Sequence, residues 1–184
     1  MRTDKVIKGE KIYLRQIQLT DCTETYVNWL NDTQVNQYLE TKWQKQDLST
    51  ITEFVNSQIK SDGSVLFAII ENTSLQHIGN IKIGPINKNH NHADISYFIG
   101  DKSMWGKGIA TEAIRLIVKY GFEDLNLHRI EAGAYCRAIG SWKALEKNGF
   151  KREAIFREHV FFVNEYIDVY RYGMLKDEYN KRII

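Results

Sequence analysis

The sequence predicts an α/β (α+β) fold, a mixed sheet with helices on both faces, and three observations carry that prediction. β-rich runs and stripes at helical spacing follow one another in the order β-α-α-β-β-β-α-β-α-β-β, which a sheet covered on two sides accommodates economically. At 184 residues the chain has the size of one domain and can bury a core without staples. One proline, Pro85, and the lack of any Ser/Gly-rich, repeated or low-complexity stretch leave no linker, so residues 1–184 are read as a single domain.

The elements follow in order. "EKIYLRQI" (residues 10–17) alternates as a strand does. "LTDCTETYVNWLND" (19–32) offers Thr20 or Asp21 as N-cap ahead of the apolar positions Val27 and Leu30, so a helix is expected. In residues 47–60, Leu48, Ile51, Val55 and Ile59 share a face of a second helix. "SVLFAIIE" (64–71) is a strand, Asn72-Thr73 a hairpin turn, and "QHIGNIKIGPI" (76–86) a strand whose glycines mark a bulge. "NKNHNH" (87–92) is a loop before the strand "ADISYFIG" (93–100). Ala110, Ala113, Ile114, Ile117, Val118 and Leu125 form the stripe of a helix of about four turns. "HRIEAGAYC" (128–136) is a strand, and residues 138–150 are a short helix stopped by Asn148-Gly149. Residues 152–175 read as two long strands around Asn164-Glu165.

Composition narrows the function classes. The net charge of +2 sets up no field that would make nucleic acid the main partner. No apolar run reaches bilayer length, so no membrane partner is expected either. The N-terminus is polar and charged, unlike a secretory signal. Cys22 and Cys136 stand far apart in no metal or redox spacing, which suits a reducing, cytoplasmic setting. His90 and His92 lie on a polar loop without a third ligand, so no metal is expected.

The stretch that carries chemistry is "KSMWGKGIATEAI" (102–114). Gly108 follows Lys107 where a Walker loop needs Ser or Thr, and "GKGIAT" lacks the third glycine of a dinucleotide fingerprint. What is left is a loop whose amides around residues 105–111 can converge on an anion at a helix N-terminus, or a tight turn with glycines for conformation alone.

The succession "WGKGIATEAI", "LNLHRIEAGAY", "SWKALEKNGF" resembles the GNAT family of acyl-CoA-dependent N-acetyltransferases, and within it the RimJ/RimL branch. The resemblance spans the chain from "IYLRQIQLTD" to "YIDVYRYGML". It implies a mostly antiparallel sheet splayed at an acetyl-CoA site, with the strand at 93–100 lying beside the pantetheine arm. It further implies coenzyme contacts at Ile99, Trp105, Gly106, Lys107, Gly108, Ile109, Ala110, Thr111, Arg137 and Ser141. Trp105 stands where the family usually has Gln or Arg, and Ala138 where it often has Asn.

Acetyl transfer to an amine needs a neutral nucleophile, donors for the developing oxyanion, and a proton or dipole for the departing thiolate. The resemblance places the family's acid on Ser141; an N-terminal helix serine satisfying backbone amides is the plainer alternative. Asp94 and Glu158 compete as the base, each set against a solvated strand acid. Tyr38, Glu40 and Trp43, in the segment expected to cover the cleft, are the acceptor contacts. The acceptors considered are a protein N-terminal amine, an amino-sugar nucleotide, or a polyamine or drug amine. A non-catalytic acyl-CoA sensor and a nucleotide-binding module are the rivals from other classes. A homodimer fits family analogy and the long C-terminal strands.

Overall fold

A computed structural model describes residues 3–183. Its eight strands are β1 (Ile7–Lys8), β2 (Ile12–Gln16), β3 (Val65–Glu71), β4 (His77–Asn87), β5 (His92–Ile99), β6 (Arg129–Tyr135), β7 (Lys151–Phe162) and β8 (Glu165–Leu175). They form one sheet in the order β1-β2-β3-β4-β5-β6-β8-β7, antiparallel throughout except where β5 and β6 run parallel. The helices are α1 (Glu24–Asn31), α2 (Thr33–Asn36), α3 (Leu48–Lys60), α4 (Ile109–Lys119), α5 (Ile139–Lys147) and α6 (Lys176–Ile183).

β3 shows why the sheet is covered on both sides. Val65, Phe67 and Ile69 pack into the cluster that holds Ile114 and Ile117 of α4. Leu66, Ala68 and Ile70 pack with Val27 and Leu30 of α1 and Ile51 and Val55 of α3. A strand buried on both faces reads as an unbroken apolar run, which is what residues 64–71 are.

Three expectations change in detail. The helix expected over residues 19–32 begins later: Leu19–Asp21 is a single 3₁₀ turn, and α1 is capped by Thr23, whose hydroxyl accepts the Tyr26 amide at 3.4 Å. Asp21 is not a cap for α1 because its buried carboxylate is held by the Arg15 guanidinium at 2.6 and 2.7 Å. The last hairpin turns at Val163 and Asn164, both at positive φ (46° and 65°), a mirror-type turn matching the strand twist. The bulge foreseen in β4 lies between Ile83 and Ile86, at Gly84 and Pro85.

Two close contacts fix the elements around the eventual site. The buried Glu112 carboxylate accepts the Lys11 amide at 3.2 Å and also the Glu10 amide, tying the β1–β2 turn to the first turn of α4. Gly100, at the end of β5, lies against the Trp29 ring so closely that a Cβ there would come within 2.1 Å of it. Gly100→Ala is therefore expected to cost about 2 kcal/mol through overpacking. That corresponds to a melting temperature lower by about 4–8 °C for a chain of this size. An unchanged thermal melt would show that α1 is free to move away from β5.

Candidate functional site

β5 and β6 pair only from His92↔Arg129 to Ile95↔Ala132, although both strands continue, to Ile99 and Tyr135. Beyond Ile95 the sheet is open. On the other side of β5, the Gly100 amide donates to the Ile78 carbonyl at 2.9 Å. Alternation along an antiparallel pair then turns the main-chain groups of Tyr97 and Ile99 toward the opening. The Trp105 indole donates to the Ile99 carbonyl at 2.9 Å, and the Tyr97 and Ile99 amides face the gap as donors.

A cleft of about 650 Å³ lies on the α4–α5 side of this opening. Gly106 and Gly108 have φ of 74° and 82°, and Gly108 is the N-cap of α4 with no side chain to satisfy the first turn. The first bond of the helix runs from the Glu112 amide to the Gly108 carbonyl at 3.0 Å, so the amides of Ile109, Ala110 and Thr111 are left to a ligand. Trp105, Gly106, Gly108, Ile109, Ala110 and Thr111 all line the cleft, as does Ile99. Lys107 does not: its side chain is exposed, and its carbonyl is held by Lys11 Nζ at 2.8 Å. Arg137 lines the cleft while its guanidinium pairs with Glu165 at 2.5 Å. Lys143 and Lys147 on α5 also line it, and neither has a carboxylate partner among the described residues.

Ser141 sits in the first turn of α5, but its hydroxyl does not cap the helix. It forms a 2.9 Å hydrogen bond with the Tyr97 hydroxyl, which also approaches the Ser141 carbonyl at 3.0 Å. Burial pushes the Tyr97 phenol up to about 12, outweighing the opposite pull of Ser141, so it stays protonated across the neutral range. Tyr97 was not singled out from the sequence. The alternation of "ADISYFIG" does place it with Ile95 and Ile99, on the face opposite Asp94, Ser96 and Phe98.

A second cleft, about 760 Å³, opens on the α1–α3 side. Its walls share Tyr38, Leu39, Tyr97 and Phe98 with the first, so the two meet at the splay. Asp94 lines this second cleft, with Oδ1 bonded to Arg171 Nη2 at 2.8 Å. Glu40 lines it too, but its carboxylate receives the Tyr135 hydroxyl and, at 3.2 Å, the Trp43 indole. Tyr38 stacks on Phe162 at 5.2 Å and donates to the Arg137 carbonyl at 3.1 Å, pinning the α2 segment to the last hairpin. Trp43 is exposed and outside both clefts. Glu158 is exposed on a bulge of β7 at φ 49°, also outside both clefts. Thus the fold brings Asp94 and Glu40 to one side and Ser141 with the loop to the other, sets Tyr38 where the two clefts meet, and leaves Glu158, Trp43 and Lys107 apart. Lys82, Arg171 and Lys147 are wall residues with no local signal in the sequence, because only the strand register and helix packing place them there.

Comparison with known proteins decides the family. Residues 11–151 match the model of the acetyltransferase (GNAT) domain. The chain belongs to the GNAT acetyltransferase family. Its relatives include the probable N-acetyltransferase YjcK of Bacillus subtilis (strain 168), 34% identical over 84% of this chain and 88% of the relative. A GNAT-family acetyltransferase from Bacillus anthracis superposes with a TM-score of 0.81 at 26% identity, covering 95% of this chain and 100% of the other. A spermidine N-acetyltransferase from Vibrio cholerae, solved with CoA and spermine, superposes with a TM-score of 0.83 over 94% of this chain and 99% of the other. At 24% identity that second likeness shows the fold.

GNAT acetyltransferases take their acetyl group from acetyl-CoA, and the residues present here suit that molecule. Unbonded amides at a positive-φ glycine loop, with two unpaired lysines close by, match a pyrophosphate and its neighbouring phosphate. The open edge of β5 offers main-chain groups to an amide-bearing arm. Among the described residues no group of His, Cys, Asp and Glu could hold a metal ion, and no helix is long and apolar enough to cross a membrane.

Proposed function

We propose that the protein transfers acetyl from acetyl-CoA directly to a small primary amine, with no covalent enzyme intermediate, and that it belongs to the RimJ/RimL branch. The observation that carries this reading is the meeting of two clefts, one on each face of the sheet, at the unpaired ends of β5 and β6. Donor and acceptor can then approach each other through the sheet. Acetyl-CoA supplies the thioester, whose C–S bond breaks as the amine nitrogen bonds to the carbonyl carbon. The amides of residues 106 and 108–111 hold the phosphates, with Lys143 and Lys147 beside them. The Tyr97 amide faces the carbonyl oxygen as charge develops there. Ser141 Oγ gives its proton to the leaving sulfur and takes one from the Tyr97 hydroxyl, 2.9 Å away, which regains its own from solvent once CoA has left. Asp94 receives the amine's proton through water at Oδ2, which has no protein donor among the described residues.

A base already neutralised by Arg171 favours an amine that loses its proton easily. An α-amine near 8 costs about 3.5 kcal/mol less to deprotonate at neutral pH than a lysine-type amine near 10.4. Amino-sugar and α-amines fit this better than polyamines do. For a polycation, Asp94 is already paired with Arg171, and the Glu40 carboxylate is turned to the neutral Tyr135 and Trp43 donors.

The test is release of CoA thiol with a panel of peptides, amino sugars and polyamines, the product identified by mass spectrometry. Tight acetyl-CoA binding without turnover of any amine would make the protein a sensor instead. Asp94→Asn is expected to lower kcat/KM about 10-fold at neutral pH, less than a free positioned base gives because Arg171 already offsets its charge. The deficit should shrink as pH rises past the amine's own pKa. A deficit independent of pH would remove Asp94 from the role.

A further inference from the structure

The acceptor cleft has a cation with nothing to neutralise it. Lys82 on β4 is half-buried and lines the cleft, and it has no carboxylate partner among the described residues. Its place in the sheet is informative. Lys82 pairs with Ser96 on β5, whose neighbour across the start of the splay is Gly133 on β6, and Gly133 pairs with Arg171 on β8. All four line the cleft, so Lys82 and Arg171 flank Ser96 and Gly133 along one row of the sheet. Gly133 has no side chain, which leaves room in that row for the Arg171 guanidinium. A Cβ there would come within 3.1 Å of Arg171 Nη1, so the guanidinium lies directly over it. The row ends one residue short of Tyr97, beside the gap where the amine must arrive.

Resting on the acetyltransferase reading above, we infer that the acceptor is a primary amine carrying its own anionic group, a carboxylate or a phosphate, seated over Ser96 between Lys82 and Arg171. The acidic side chains of the cleft do not compete for this role. Asp94 is bonded to Arg171, and Glu40 is turned to the Tyr135 and Trp43 donors. A diamine would bring a second cation against Lys82, and Glu40, the cleft carboxylate without a basic partner among the described residues, is turned to the Tyr135 and Trp43 donors. An anion would find one unpaired ammonium, the Ser96 hydroxyl and Arg171 Nη1, the guanidinium being paired through Nη2 with Asp94 at 2.8 Å and Glu131 at 3.6 Å. Such a site selects on charge first and on the rest of the molecule second.

Matched acceptors test this. Glucosamine 6-phosphate is compared with glucosamine, and the dipeptide Ala-Ala with its C-terminal amide, the two pairs separating phosphate from carboxylate as the source of charge; spermidine is the cationic control. The anionic member of at least one pair should have a kcat/KM 10-fold or more above its neutral sibling, with spermidine lowest. Lys82→Met should bring that ratio toward one and Lys82→Arg should restore it, a pattern that general loss of structure does not produce. Binding is read separately, by the thermal shift that each compound gives to the acetyl-CoA complex. Preference for the neutral member in both pairs, or a ratio that survives Lys82→Met, overturns the inference. Stabilisation by glucosamine 6-phosphate or Ala-Ala that Lys82→Met abolishes, without turnover, would support the anion site while sinking the acetyltransferase reading. No shift from either compound, with spermidine acetylated, would sink the anion site alone.

Discussion

Replacing Tyr97 with Phe is expected to lower kcat about 100-fold with little change in the KM for acetyl-CoA, because it removes a proton donor and leaves the phosphate contacts alone. The Tyr97 and Ser141 hydroxyls are 2.9 Å apart and would act on one proton. The double variant Tyr97→Phe/Ser141→Ala should therefore be no worse than the more damaged single variant, as for residues that work as a unit. The pH profile gives a second check. With the phenol pushed up to about 12 by burial, the acid keeps its proton below that value and loses it only as pH rises toward it. The kcat of the unaltered protein should rise with pH as the amine deprotonates and then stay level into the mildly alkaline range. A fall beginning near neutrality, abolished by Tyr97→Phe, would contradict the buried, protonated phenol. Strict additivity of the two variants would separate their roles.

Gly108→Asp is expected to raise the KM for acetyl-CoA about 100-fold or more, since each amide bond to a charged oxygen contributes about 1.5–3 kcal/mol and the new carboxylate would oppose the pyrophosphate. The helix itself should tolerate the change. Asp is among the preferred N-cap residues and among the few that accept a left-handed backbone such as the φ of 82° found here. The nearest atom to an added Cβ is Lys11 Nζ, 3.9 Å away. A normal melting curve with coenzyme affinity lost would assign the α4 N-terminus to the phosphates. Retained affinity would move the phosphates elsewhere in the cleft.

Much of the fold was legible because its signals are local. The stripe through Ala113, Ile114, Ile117 and Val118 needs nothing beyond its own spacing to predict α4, and all four residues are buried. The α1 cap was misplaced because Thr20, Asp21 and Thr23 are all competent caps. The choice among them was made by Arg15, which claims Asp21 from a neighbouring strand. In the site, the glycine loop was visible as sequence for the same local reason. Tyr97 was hidden in an ordinary alternating strand, and its importance arises only because β6 leaves β5 after Ile95. Lys82 and Arg171 were harder still, since they are 89 residues apart in sequence (171 − 82) and meet through the register of four strands. Glu158 illustrates the reverse: a place on a long C-terminal strand and the family likeness offered it as a base, and a bulge between Phe156 and Val160 leaves it exposed outside both clefts.

The four residues common to both clefts bear on how such a protein acquires new substrates. Tyr38, Leu39, Tyr97 and Phe98 are the whole of the shared wall among the described residues, and everything else belongs to one reactant or the other. Changes in α3, in the face of β4 that carries Lys82, or in the inner end of β7 can therefore re-shape amine preference while the coenzyme is held as before. In a laboratory lineage, beneficial substitutions should fall on the α1–α3 side of the sheet.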